Sequence, residues 1–219
     1  MSNKLIILDL DGTLLNTIGD LAACCNYMLE QRNLPTHNYE EYCTFVGNGV
    51  TRLVERALPE ELRTVEYVTA ARKDFVSYYT ENIKTHTVPY SGINELLTKF
   101  TEQGAMLAVA SNKFHDGTVQ LVNYFFGEIP FAAIFGNRDG YPLKPDKAIV
   151  ELIMAQCGAT AKSTYMVGDS GVDMQTAVAA GVHAVGVSWG FRSREELEQC
   201  GAEFIADSAE QLFDHIYRN

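Results

Sequence analysis

The stretch Leu5–Ile6–Ile7–Leu8–Asp9–Leu10–Asp11–Gly12–Thr13 constrains this chain more than any other. Its uninterrupted apolar run suits a strand covered on both faces of a parallel sheet. Two carboxylates then follow at alternate positions, and a Gly and a Thr come directly after them. Asp9 falls at the end of the strand, and Asp11 lies already in the turn. Acids at the end of a buried strand are costly unless something compensates them. The rest of the sequence can therefore be searched for that compensation.

Downstream, helical spacing of apolar residues predicts helices over Asp20–Arg32, Tyr39–Phe45, Val50–Leu58 and Pro59–Ile83, with no convincing strand from about 16 to 85. From residue 88 onward the pattern alternates. Strands are expected over Ala105–Ala110, Phe131–Phe135, Thr164–Val167, Ala184–Val187 and Phe204–Ile205. Helices are expected between them, over Ile93–Glu102, Phe114–Phe126, Pro145–Cys157, Val172–Ala180 and Glu195–Gln199, and at the end over Ala209–Tyr217. Such alternation implies an α/β fold, a doubly wound parallel sheet with a Rossmann-like core. The all-helical segment interrupts it just after its first strand. The expected domains are thus an α/β core of residues 1–15 and 88–219 and a helical cap of residues 16–87. The cap would project from the ligand-binding edge as a lid, hinged near Asn16–Thr17 and Val88–Pro89.

Composition excludes several classes. Acids outnumber bases 28 to 17 in 219 residues, a net charge of −11, which disfavours binding to phosphate backbones. There is no basic amphipathic helix, membrane-length apolar run or signal-peptide pattern. Five cysteines form no CxxC pair and read as free thiols in a reducing cytoplasm. Nothing suggests a coiled coil, so a monomer or weak homodimer is expected.

Four segments end or follow expected strands with polar residues: Asp9–Thr13, Ser111–Asn112–Lys113, Lys144–Pro145 and Gly168–Asp169–Ser170–Gly171–Val172–Asp173. In a right-handed doubly wound sheet these ends share one edge. That edge collects Asp9, Asp11, Asp169 and Asp173, which cannot all stay ionised together without a cation. A hard divalent ion with oxygen ligands resolves the conflict, and Mg²⁺ is the natural candidate. The Ser111 hydroxyl, backbone N–H groups around Gly12 and the Lys144 charge suit a phosphoryl group. Asp9 is then placed to attack phosphorus, and Asp11 to protonate the leaving oxygen and later deprotonate water.

These four segments, in this order, resemble the motifs of the haloacid dehalogenase-like phosphatase superfamily. Gly47–Asn48–Gly49, Glu55–Arg56–Ala57–Leu58, Val88–Pro89–Tyr90–Ser91–Gly92 and Val187–Ser188–Trp189–Gly190–Phe191–Arg192 resemble its phosphoglycolate phosphatase branch. The resemblance covers nearly the whole chain. It implies Asp9 as nucleophile and metal ligand, and Asp11 as acid/base and metal ligand through its backbone carbonyl. It implies Ser111, Lys144 and the backbone of Asn112 as phosphate ligands, Asp169 as direct metal ligand and Asp173 as a metal ligand through water or a support behind the direct ligands. Two departures are small: Ser111 stands where Thr is common, keeping the hydroxyl, and Lys147 where Pro is common. The implied substrate is a small phosphorylated metabolite, with phosphoglycolate leading.

Rival readings stay open. Pyrophosphate hydrolysis, sugar-phosphate hydrolysis or transfer, and a non-catalytic phosphate-sensing or partner-binding role share this fold. Carbon–halogen cleavage is opposed by Asp11, the second acid that dehalogenase relatives lack. In the cap, Gly47, Asn48 and Arg56 are candidate substrate contacts. The alternatives are a simple turn between helices for the first two and a cap-internal ion pair for Arg56. Lys113 reads as a surface charge or a neighbour of the site and stays outside the core set. Trp189 and Phe191 read as packing for the core edge or a mobile loop. The five histidines show no metal-like spacing and read as structural or exposed.

Overall fold

A computed structural model describes residues 4–218; residues 1–3 and 219, the outermost edges of the expected core, lie outside the described residues. Strand β1 (Leu5–Leu8) leads through the short β2 (Leu15–Asn16) into four helices: α1 (Ile18–Glu30), α2 (Tyr39–Phe45), α3 (Val50–Ala57) and α4 (Val65–Asn82). The chain returns on β3 (Val88–Pro89) and then alternates through α5 (Ile93–Glu102), β4 (Met106–Phe114), α6 (His115–Phe126), β5 (Phe131–Asn137) and α7 (Ala148–Cys157). It ends with β6 (Thr164–Gly168), α8 (Gly171–Ala180), β7 (His183–Val187), α9 (Arg194–Gln199), β8 (Phe204–Ala206) and α10 (Ala209–Arg218).

The main sheet has the order β5-β4-β1-β6-β7-β8, with every neighbouring pair parallel. β1 lies in the middle and is fully buried, as its apolar run requires. Its side chains alternate between two packed layers. Ile6 and Leu8 join the layer of α5, α6 and α10, with Leu97, Leu121 and Leu212. Leu5 and Ile7 join that of α7 and α8, with Val150, Ile153 and Met174. The chain winds outward from β1 to β4 and β5 on one side, and to β6, β7 and β8 on the other. The crevice at this reversal, beyond the C-terminal ends of β1, β4 and β6, is where such sheets bind ligands.

The expected fold class holds, including the inserted helical cap. Its helices are amphipathic in the expected way: α3 buries Val50, Leu53, Val54 and Ala57 and exposes Thr51 and Arg52. Asn38 and Glu41 cap α2 reciprocally, each side chain accepting the other's backbone N–H. Among the described residues no helix is long and apolar enough to cross a membrane.

Three local differences from expectation have physical causes. Pro59–Glu60–Glu61 does not begin α4 but forms a single 3-10 turn, Glu60–Leu62; α4 starts after Thr64, whose hydroxyl accepts the Tyr67 N–H. β4 runs on to Phe114, so Ser111, Asn112 and Lys113 continue the buried strand rather than forming a loop. Finally, the two linkers to the helical insertion pair with each other. Leu15–Asn16 and Val88–Pro89 form a two-residue antiparallel ribbon.

Candidate active site

β1 carries Asp9 past its last pairing to the sheet edge, where the Asp9 N–H still donates to the Val167 carbonyl at 2.9 Å. The chain then folds back sharply: the Leu10 carbonyl accepts from the N–H groups of Leu14 and Leu15, and Gly12 N–H donates to Leu15 O. Gly12 has φ +89°, and a Cβ there would lie 2.2 Å from an Asp169 carboxylate oxygen. The turn therefore needs glycine twice over, for its backbone and for the acid packed against it.

β6 and the start of α8 supply the other acids. Asp9, Asp169 and Asp173 are buried and can each present an oxygen within 4.8 Å of the others. Lys144, reaching in from the loop before α7, is 2.9 Å from Asp9 Oδ1 and 2.6 Å from Asp173 Oδ1, and donates to the Ala110 carbonyl. The contact to Asp9 is off the hydrogen-bonding direction, which leaves that buried oxygen without a hydrogen bond. Asp173 is fully engaged, since its second oxygen accepts from the Ser170 hydroxyl at 2.6 Å and from the Ser170 N–H. Asp169 accepts from the Thr13 hydroxyl and from the Phe191 N–H.

The electrostatics follow from this packing. Burial, opposed by Lys144 and reinforced by Asp173 and Asp11, pushes the Asp9 carboxyl up to about 7. Burial, together with Asp173 and Asp9, pushes Asp169 to about 8. For Lys144, burial acts downward, but Asp173 and Asp9 outweigh it and hold the ammonium above its ordinary range. Were all three acids ionised, Lys144, which pairs with Asp9 and Asp173, would offset one charge and leave two. An oxygen-only donor set with that surplus fits a hard divalent cation.

Asp11 is separate from this cluster. Its carboxylate is 3.1 Å from the Lys113 ammonium, which also donates to the Tyr79 hydroxyl of α4 at 2.6 Å. Lys113 is 6% exposed, so it is a buried partner of an acid and not a surface charge. The long β4 carries it into the crevice beside Ser111, which also lines the cavity. Asn112 uses its side chain structurally: Oδ1 accepts the Lys144 N–H, and Nδ2 donates to the carbonyls of Lys144 and Gly47.

The cap candidates separate. A cavity of about 630 Å³ between cap and sheet edge is lined by Gly47 and Gly49, but not by Asn48 or Arg56. Arg56 instead donates to the Phe45 carbonyl and to the Asn48 side chain, both at 2.8 Å. Arg56 is thus set back from the cavity lining, and among the described residues it pairs with no acid. The loop after β7 does more than was expected of it. Trp189 Nε1 donates to the Thr13 carbonyl, the Phe191 N–H holds Asp169, and Arg192 holds the Thr44 and Val46 carbonyls at the end of α2.

Residues 6–187 match the model of the haloacid dehalogenase-like hydrolase family. The chain belongs to that family. The phosphoglycolate phosphatase of Mesorhizobium japonicum is 34% identical over 200 residues, spanning 90% of this chain and 88% of the relative. That of Haemophilus influenzae (strain 86-028NP) is 32% identical over 216 residues, spanning 95% and 96%. Among solved structures, a protein of Lactobacillus delbrueckii subsp. bulgaricus superposes with a TM-score of 0.91 at 30% identity over 99% of both chains. A predicted phosphoglycolate phosphatase from Haemophilus somnus 129pt gives 0.89 at 28% identity over 98% of both chains. The protein is thus a hydrolase of the haloacid dehalogenase-like family, and the similarity to these relatives spans nine-tenths or more of the chain.

Proposed function

We propose that this haloacid dehalogenase-like hydrolase is a Mg²⁺-dependent phosphatase that cleaves small phosphomonoesters through an aspartyl-phosphate. The observation that carries the reading is the buried cluster of Asp9, Asp169 and Asp173 at the sheet edge, in which Lys144 pairs with Asp9 and Asp173 and leaves Asp169 to hydroxyl and backbone donors. Asp9, the backbone carbonyl of Asp11, and Asp169 would hold the ion, with Asp173 fixing Lys144 and Ser170 behind them. When bound, the ion screens the repulsion between an attacking carboxylate and an anionic phosphoryl group.

In this reading a carboxylate oxygen of Asp9 attacks phosphorus as the bond to the leaving oxygen breaks. Asp11 gives that oxygen its proton. Asp11 then takes a proton from water, whose oxygen attacks phosphorus, releasing inorganic phosphate and restoring Asp9. Ser111, Lys144 and the N–H groups near Gly12 and Asn112 receive the phosphoryl oxygens. Residues 16–87 act as the lid over the core of residues 1–15 and 88–219, and the linker ribbon is its hinge. The relatives' name puts phosphoglycolate first among substrates to test. The absence of CxxC pairs supports a cytoplasmic setting, and the lack of a coiled coil supports a monomer or weak homodimer.

The test is turnover of p-nitrophenyl phosphate. It should require Mg²⁺, stop in EDTA, and vanish in Asp9→Asn while the circular dichroism spectrum is retained. Turnover that is equal with and without metal, or that survives Asp9→Asn, overturns the reading.

A further inference from the structure

The leaving group of a phosphomonoester must lie between the sheet edge and the cap, beside Asp11, the acid that protonates it. Two buried polar groups line the cavity there: the Lys113 ammonium, carried in by β4, and the Tyr79 hydroxyl, carried in by α4. Lys113 lies 3.1 Å from an Asp11 carboxylate oxygen and donates to the Tyr79 oxygen at 2.6 Å. Among the described residues that is the one hydrogen bond of the Tyr79 hydroxyl, and Tyr79 only accepts in it. Its own O–H proton is unspent, although the side chain is fully buried.

Asp11 meets the ester with a proton on it, because the first step delivers that proton to the leaving oxygen. Lys113 is then without the carboxylate that balances it, and a buried ammonium without a counter-charge is costly. An anionic group on the substrate restores the balance, and the Tyr79 O–H gives it a second donor. The other cations near the site are engaged. Lys144 pairs with Asp9 and Asp173. Arg192 lines the cavity but spends its terminal nitrogens on the Cys43, Thr44 and Val46 carbonyls.

Position limits the ligand. Lys113 is within hydrogen-bond reach of Asp11, so an anion held by Lys113 sits next to the leaving oxygen. A carboxylate on the carbon that bears this oxygen meets that condition. One placed further along the chain would reach Leu21, Val50, Leu53 and Phe75, and lose its water against hydrocarbon. We propose that Lys113 and Tyr79 bind the carboxylate of the leaving group and so select phosphate esters of short 2-hydroxy acids. The proposal rests on the phosphatase reading and concerns only the leaving group. One donor stands on the core and the other on the cap, so the bound carboxylate bridges the two.

The test is calorimetric binding of three unreactive phosphonates to the protein in Mg²⁺. 3-Phosphonopropionate carries the carboxylate at the proposed place, 3-methylbutylphosphonate has methyl groups for its two oxygens, and 4-phosphonobutyrate is one methylene longer. The unaltered protein should bind the first about tenfold more tightly than either of the others. Tyr79→Phe, which keeps the packed ring, should narrow that preference, Lys113→Met should abolish it, and Lys113→Arg should keep part of it. Equal or weaker binding of 3-phosphonopropionate to the unaltered protein overturns the proposal even if a lysine variant fails to fold. So does a preference that persists undiminished in Tyr79→Phe. Absent turnover of p-nitrophenyl phosphate would instead strike the phosphatase reading beneath it.

Discussion

Lys113 touches two parts of the molecule that the proposed lid motion would separate: Asp11 on the core and Tyr79 on α4. An acid/base must point at the leaving oxygen, and Lys113 is the group that fixes where the Asp11 carboxylate points. Replacing it by Met removes that constraint while keeping the hydrocarbon stem. We expect Lys113→Met to lower kcat by about a hundredfold, within the range for disabling acid–base catalysis, with KM changed far less. Lys113→Arg should recover part of the loss, and steady-state kinetics on p-nitrophenyl phosphate would show it. An unchanged kcat would mean that Asp11 is aimed without Lys113. This residue was poorly legible beforehand, whereas Asp9, Asp11, Ser111, Lys144 and Asp169 stood out. Acids and a lone lysine beside strand ends signal their own cost, since an uncompensated charge there is improbable. A lysine following Ser-Asn signals nothing until the length of β4 and the position of Tyr79, in another element, are known.

The same contrast appears at the level of elements. Helices α1 to α4 were legible because each buries a stripe of apolar residues at helical spacing. A two-residue ribbon carries no periodicity, so the pairing of β2 with β3 could not be read, and neither could its fastening. Asp20, on the first turn of α1 and 1% exposed, accepts from the His86 N–H, the Thr87 N–H and the Thr87 hydroxyl. One side chain thus ties the outgoing linker to the returning one. Asp20→Ala leaves buried donors unpaired, which should cost about 3 kcal/mol and lower the melting temperature by roughly 6–12 °C in calorimetry. A shift under 2 °C would show that the ribbon holds without it. Arg56 makes the opposite point. Its motif suggested substrate contact, but its donors are spent on Phe45 and Asn48. Arg56→Ala should therefore cost about 1 kcal/mol of stability and leave the ranking of a substrate panel unchanged. A reordered panel would return Arg56 to the site.

At the scale of the whole molecule, the doubly wound order places β1 centrally, so the most buried strand delivers its acids to the most enclosed part of the crevice. This convergence was readable because it depends on topology, and alternating strands and helices nearly dictate the topology. The cap's closeness was not, since the lining of the cavity depends on tertiary packing between helices and sheet edge. One consequence reaches the stability of the entire fold. Asp9 is raised to about 7 and Asp169 to about 8, in each case first by burial. An acid raised in the folded state contributes stability while protonated; that contribution is complete below the unfolded value near 4 and is lost as pH climbs through the folded one. Metal-free protein should therefore melt at progressively lower temperature from about pH 4 to about pH 8, by on the order of 10 °C, and level off above that. A divalent ion prefers the ionised carboxylates, so it acts in the opposite direction. The rise in melting temperature on adding Mg²⁺ should be small at pH 5.5 and largest at pH 8.5. Asp169→Asn removes one of the titrating groups and should flatten the metal-free profile while shrinking the Mg²⁺ increment. Scanning calorimetry of EDTA-treated and Mg²⁺-loaded protein across this range reads all three effects. A metal-free profile that is flat, or an increment independent of pH, would show that the buried acids are compensated within the chain itself.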